Sequence, residues 1–427
     1  MNTYEEALDW ILSRLQFGMK PGLDRMKWMM EKLGSPEKDL KVIHVGGTNG
    51  KGSTVTYIRS ILNEAGYSVG TFTSPAIESF NERISLNGIP ISNSEMMDLV
   101  NIIKPLVEEL AETELGPLTE FEVITTMAIY YFSKVNPVDY TVFEVGLGGR
   151  LDSTNILEPI LTVITNIGLD HVNILGDTVE KIAFEKAGII KKNIPLITAV
   201  EQYGALTVIE EKAEKMNSIM YVLGRDFQVG ENHSIETGES FCFSVKDRTL
   251  KDLEIGMIGY HQTKNASLAV MVSVLLDIDE AFVRRGLLNA MWPGRMEIVQ
   301  KNPLILVDGA HNPEGVEALV KAINKRYSTK KKKVLFAALR DKELTKMFVE
   351  LRKLEADFYF TQFQSPRIES AAKLAELSKV ENGTAYADWK PILTDLIKGL
   401  NNNEMLIICG SLYFLAEIKP FLKNIIS

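Results

Sequence analysis

Cysteine is nearly absent from these 427 residues: Cys242 and Cys409 stand far apart and give neither a disulfide framework nor the paired spacing of a metal site. Such usage suits a reducing compartment, so a cytoplasmic location is expected. Long apolar runs are missing too. Nothing approaches the ~20 uninterrupted apolar residues that cross a bilayer, and no membrane partner is expected. The first residues, Met1-Asn2-Thr3-Tyr4-Glu5-Glu6, are acidic and lead straight into helical spacing, which argues against a leader peptide. An excess of basic charge is lacking as well. With 47 Lys and Arg against 56 Asp and Glu the net charge is −9, which excludes a general nucleic-acid binder. Any anionic substrate must be held by local positive charge. The run Lys330-Lys331-Lys332-Lys333 is the one basic cluster, and ahead of an apolar strand it reads as a solvated loop edge.

What remains is a globular composition, 45% hydrophobic and 24% charged, at a length that implies two or three domains. Residues 4–17 and 21–33 have the spacing of amphipathic helices, the second stopped by Gly34. Val42 to Val45 forms a short apolar strand, a glycine-rich loop follows, and a helix ends at Gly66. The next strand, Ser68 to Phe72, completes a βαβ unit with a right-handed parallel crossover. Tyr140 to Val145 and Leu161 to Thr165 read as further buried strands of a parallel sheet. Strand-like pieces at Met220 to Leu223 and Phe241 to Val245 are expected to be a last, partly antiparallel part of this unit.

A break falls at Trp292-Pro293-Gly294-Arg295, after which alternation restarts. Strands are expected at 304–307, 334–339, 358–361 and 405–409, with helices at 314–327 and 344–354. The fold class is therefore α/β: a phosphate-loop domain, 1–294, with a mainly parallel sheet and a small antiparallel part, then a smaller Rossmann-like α/β domain, 295–427.

The segment Gly47-Thr48-Asn49-Gly50-Lys51-Gly52-Ser53 lies between a buried strand and a helix N-terminus, a prepared anion site. Its glycines admit phosphates to the backbone, Lys51 can reach the β- and γ-phosphates, and a hydroxyl can face a metal. The sequence departs from G-x-x-x-x-G-K-[ST], with Val45 in place of the first glycine and Gly52 separating Lys51 from Ser53.

Glu144 ends a sheet strand near this loop, where a magnesium ligand belongs. Asn166 ends another strand, with Asp170-His171 just beyond. Taken alone, His171 reads as an ordinary hydrogen-bonded histidine, Lys186 as a helix-end lysine favoured by the dipole, Arg83 as a surface ion pair, and Asn265 as a cap of the helix after it.

Together these blocks resemble the folylpolyglutamate synthases, amide ligases of the Mur type. The resemblance is carried along nearly the whole chain by GTNGKGS at 47–53, Thr73-Ser74-Pro75, Asn81-Glu82-Arg83-Ile84, Glu144 to Asp152, Asp170-His171 and Glu185-Lys186-Ala187-Gly188. It continues in His261 to Ala266, Pro293-Gly294-Arg295, Asp308 to Pro313 and Cys409-Gly410-Ser411. It implies that Ser74, Glu144 and His171 hold magnesium and that Lys186 carries a carbamate serving a second magnesium site. It implies nucleotide contacts from Thr48, Asn49, Gly50, Lys51, Gly52, Ser53, Asn265, Arg295, Asp308 and His311, and folate contacts from Pro75, Asn81 and Arg83. Lys51, Lys186 and His171 are the implied catalytic residues. Where such enzymes usually have a histidine after Ser-Pro, this chain has Ala76, which leaves part of the folate contact open.

The expected activity is ATP-dependent addition of L-glutamate to the γ-carboxylate of a reduced folate through an acyl phosphate, by a monomer. Joining glutamate to dihydropteroate is the alternative within the same resemblance. A cell-wall Mur ligase is disfavoured because only 46 residues precede Gly47, too few for a further sheet domain. A non-catalytic ATP-binding regulator has no use for two metal sites.

Overall fold

A computed structural model describes residues 1–18 and 20–426. Its largest sheet has eight strands: β1 (Val42–Gly46), β2 (Val69–Phe72), β3 (Ile84–Leu86), β4 (Ile89–Pro90), β5 (Tyr140–Glu144), β6 (Pro159–Ile164), β7 (Leu196–Thr198) and β8 (Met220–Val222). They lie in the order β4-β3-β2-β5-β1-β6-β7-β8. All neighbours are parallel except β2–β3 and β3–β4. Strand β1 is buried throughout, as a central parallel strand covered on both faces must be. The expected βαβ unit is present, but β5 inserts between its two strands, which brings Glu144 alongside Val45 and next to the loop.

A three-stranded antiparallel sheet, β9 (Phe227–Ile235), β10 (Gly238–Val245) and β11 (Arg248–Ile255), packs on the helices Tyr260–Leu275 and Glu280–Asn289. The expected antiparallel piece at Phe241–Val245 is here. The piece at Met220–Val222 is the parallel part: it pairs with β7 at the edge of the large sheet. A strand of three residues has too little pattern to reveal its direction.

The third sheet contains β12 (Glu297–Gln300), β13 (Leu304–Asp308), β14 (Lys331–Phe336), β15 (Asp357–Phe360), β16 (Gly383–Ala385) and β17 (Glu404–Cys409). Its order is β12-β13-β17-β14-β15-β16, with β12 alone antiparallel. Helices Pro313–Arg326, Leu344–Leu351 and Ala371–Ser378 cover one face, and Trp389–Lys398 and Leu412–Ile426 the other. The chain therefore reverses direction around β17, and the carboxyl ends of β13 and β17 open a crevice where ligands of such sheets bind.

The lysine run is corrected. Lys331–Lys333 are the first residues of β14 rather than a loop, paired in register with Glu404–Leu406. Lys333 reaches Glu404 at 3.0 Å, so one of the charges sits beside a carboxylate, and Lys330 donates to Asn402 O at 2.7 Å.

Candidate functional site

The glycine-rich loop leaves β1 and enters the helix Lys51–Glu64, buried along most of its length. It is pinned by the segment that follows β6. Thr48 N donates to Asn166 O at 3.0 Å, Asn49 N to Asn166 Oδ1 at 2.8 Å, and Thr165 Oγ1 to Asn49 O at 2.6 Å. Gly50 has φ of 82°, and a Cβ there would overlap the amide of Asn265. Gly52 must be glycine for another reason: a Cβ would lie 2.8 Å from the indole of Trp292. The break in the usual loop expression is thus a packing requirement imposed by the residue ahead of Pro293.

Asn265 is not a helix cap. Gly259 precedes the helix Tyr260–Leu275, and Asn265 lies in its second turn, buried against Gly50 with its amide bonded to Gln262.

Lys51 Nζ donates to Thr48 O at 3.2 Å and stands 3.9 Å from Glu144 Oε1. Glu144 is buried at the carboxyl end of β5, and its other oxygen accepts from Ser74 N at 3.1 Å. Burial raises its pKa, although Lys51, the Ser74 amide and Arg295 pull it down. Lys186 comes from the last turn of the helix Val179–Ala187. Its Nζ donates to Gly47 O at 2.8 Å. Burial, with Lys51 adding to it, pushes this amine down to about 7.

The cleft between the sheets closes on Asp170. Lys342 Nζ reaches Asp170 Oδ1 at 2.7 Å, Asn312 Nδ2 donates to Oδ2 at 3.3 Å, and His311 Nε2 lies 3.6 Å from Oδ2. His171, with a left-handed backbone (φ 51°), has Nε2 3.8 Å from the same carboxylate. Burial alone would raise Asp170, but His311, Lys342 and His171 hold it well below the usual carboxylate range. Burial pushes His171 down to about 4 against the pull of Asp170, leaving a neutral imidazole at neutral pH. Asn49 and Asn312 form a reciprocal amide pair across the cleft, at 2.9 and 3.2 Å.

Asp308, buried at the end of β13, accepts from Met296 N at 2.7 Å and Ala310 N at 2.8 Å, fixing the loop that carries Arg295. On the other side of the site, Asn81 is committed to the fold: it donates to Ile91 O and Asn93 Oδ1 and accepts from Tyr4. Pro75 follows Ser74 at the mouth of this segment. Arg83 is not a surface ion pair. It is buried against Glu120 between the rings of Phe80 and Phe121, its Nε without a partner.

Sequence reading brought Thr48 to Ser53, Glu144, Ser74, His171, Lys186, Arg295, Asp308 and His311 together, and the structure gathers them at the carboxyl ends of β1, β2, β5, β6 and β13. It missed Lys342, the Asn312 amide and the Trp292 ring. Only Asn312 had a local signal, as the N-cap before Pro313.

Among the described residues no group of three His, Cys, Asp or Glu side chains, the Asp170, His171 and His311 set included, is disposed to hold a metal ion by itself. A hard cation nevertheless suits the buried Glu144 carboxylate, whose charge is met by one backbone amide and a lysine at 3.9 Å.

The family model for the Mur ligase middle domain matches residues 45–273, and that for the Mur ligase glutamate ligase domain matches 294–412. Dihydrofolate synthase/folylpolyglutamate synthase of Bacillus subtilis is 46% identical, over 98% of this chain and 99% of its own. Mycobacterium tuberculosis folylpolyglutamate synthase complexed with ADP superposes with a TM-score of 0.92 at 26% identity, covering 98% of this chain and 99% of that one. The Escherichia coli FolC structure in complex with DHPP and ADP gives 0.89 at 27%, covering 99% and 98%.

Proposed function

Since this chain belongs to the Mur ligase family, we propose that it is an ATP-dependent ligase adding L-glutamate to the γ-carboxylate of tetrahydrofolate. The observation that carries the reading is the convergence of Lys51, Glu144 and Lys186 on one glycine-rich loop, faced across the cleft by Arg295, Asp308 and His311.

A carboxylate is a poor acylating agent, so its oxygen first attacks the γ-phosphorus of ATP, ADP leaves, and an acyl phosphate forms. The glutamate amine then attacks the acyl carbon, phosphate departs with the bonding pair, and the amine gives up a proton. Such transfer depends on positioning and charge neutralisation. The loop amides and Lys51 hold the phosphates, with Thr48, Asn49, Gly50, Gly52, Ser53 and Asn265 shaping the nucleotide side. Ser74, Glu144 and His171 would hold magnesium, which when bound neutralises phosphate charge. Lys186 would carry a carbamate, which supplies an oxygen ligand for a second ion where an ammonium would repel one. Pro75 and Arg83 border the folate side. Asn81 supports that segment from within.

Residues 1–294 and 295–427 act as two bodies, and their closure brings Arg295, Asp308 and His311 to the nucleotide. Four of the five apolar cores lie wholly on one side of residue 294, and the fifth takes only Ile258 from the first unit, which supports this division. On this proposal the enzyme works as a monomer. Two free cysteines support a cytoplasmic enzyme. Among the described residues no helix is long and apolar enough to cross a membrane.

Oxygen-18 in the folate γ-carboxylate tests the chemistry. Transfer of label to inorganic phosphate, with ADP as co-product, is expected; label in AMP or none in phosphate contradicts it. The double name of the Bacillus subtilis relative favours one second reading, glutamate addition to dihydropteroate. Side-by-side assays with dihydropteroate and tetrahydrofolate separate the two activities.

A further inference from the structure

Lys419 is a lysine buried to 2% side-chain exposure, on the helix Leu412–Ile426 and outside the site described above. Three carboxylate oxygens surround its ammonium: Glu297 Oε1 at 3.0 Å, Glu297 Oε2 at 2.7 Å and Glu78 Oε1 at 2.9 Å. The two carboxylates arrive from opposite sides of the cleft. Glu297 begins β12, two residues after Arg295, and its Oε2 also accepts from Gly294 N at 2.6 Å. Glu78 lies four residues after Ser74, and its second oxygen takes Lys423 at 2.9 Å.

The segment holding Glu78 is a preformed unit. Glu82 accepts from the amides of Ile77, Glu78 and Ser79 at 3.0, 2.9 and 2.7 Å, fixing the turn. Ile77 is buried in contact range of Gly294. A buried ammonium needs paired, hydrogen-bonded carboxylates to be tolerated, and two carboxylates against two ammonium groups leave the cluster neutral. This cluster therefore has one stable arrangement, with residues 77–82 seated on residues 294–297.

We infer that Lys419 is a positioning residue that ties the segment following Ser74 to the loop carrying Arg295, so that the folate side and the nucleotide side of the site move together. The inference rests on the ligase reading. By linkage, such a tie appears as reciprocal coupling: tetrahydrofolate tightens nucleotide binding, and nucleotide tightens folate binding by the same factor.

The experiment uses Glu78→Gln, which removes one charge of the tie at a half-exposed position and leaves the Lys419–Glu297 pair in place. The dissociation constant of a non-hydrolysable ATP analogue is measured with and without saturating tetrahydrofolate. We expect at least about fivefold tightening in the wild type, falling to about twofold or less in Glu78→Gln. The constant without folate should stay within about twofold, and the folate KM should rise with kcat largely held. Rescue by a conservative variant supplies a readout that a merely structural role would not give. Lys419→Arg should retain the coupling, whereas Lys419→Met, if folded, should lose it. Unchanged coupling in Glu78→Gln, or no coupling in the wild type, overturns the inference. Loss of folate-dependent phosphate release in the wild type overturns the ligase reading instead.

Discussion

Lys186 donates its Nζ proton to the carbonyl oxygen of Gly47 at 2.8 Å, so the first residue of the phosphate loop is held by an amine from a helix 139 residues further on. This contact gives the buried ammonium a partner where, among the described residues, no carboxylate lies within ion-pair distance of it. A lysine so desolvated is a competent nucleophile toward carbon dioxide. Protein equilibrated with carbon-13 bicarbonate and magnesium should show a carbamate resonance that Lys186→Met lacks. The same spectrum with and without Lys186 contradicts a carbamate there.

Gly52 and the Trp292 ring are in contact range, and an alanine Cβ at 52 would stand 2.8 Å from the indole. Gly52→Ala should weaken ATP-analogue binding by about tenfold or more, because overpacking of this kind costs about 1–3 kcal/mol and moves the loop. Adding Trp292→Ala should restore part of that loss. An alanine at 52 that binds nucleotide as the wild type does removes the packing explanation of the loop's form.

Asp170 carries the pH dependence of the cleft. Its carboxyl is held below the ordinary value, so the stability it contributes is present above the unfolded pKa and fades as pH falls through and below about 4. Asp170→Asn should lower the melting temperature at neutral pH, since removing one member of a buried pair costs about 3–5 kcal/mol. The gap from wild type should narrow between about pH 5 and pH 3. Thermal scans across that range check it, and a gap that widens on acidification runs against the assigned sign.

Much of this was readable in the residues. Strand, glycine loop and helix around Lys51 follow local rules, and the α/β alternation after Gly294 restarts with clear periods, so both main sheets were foreseen. Direction was harder. Met220–Val222 joins the parallel sheet through pairing with β7, a contact no local pattern encodes. The lysines at 331–333 form a strand because β17 lies beside them, with Glu404 to receive one charge. The same limit applies in the site. The acidic end of a strand points to Glu144 and the resemblance adds His171, whereas Lys342 has no signature and becomes legible only when the third sheet brings it to Asp170. Gly52 looked like an irregularity until the ring of Trp292 gave it a cause.

Phosphate release measured with each substrate omitted in turn tests the central claim most directly. Release should require ATP, tetrahydrofolate and L-glutamate together, match the glutamylated product mole for mole, and be abolished in Lys51→Ala. Release that proceeds at the same rate without folate, or that survives Lys51→Ala, contradicts a folate–glutamate ligase built on this loop.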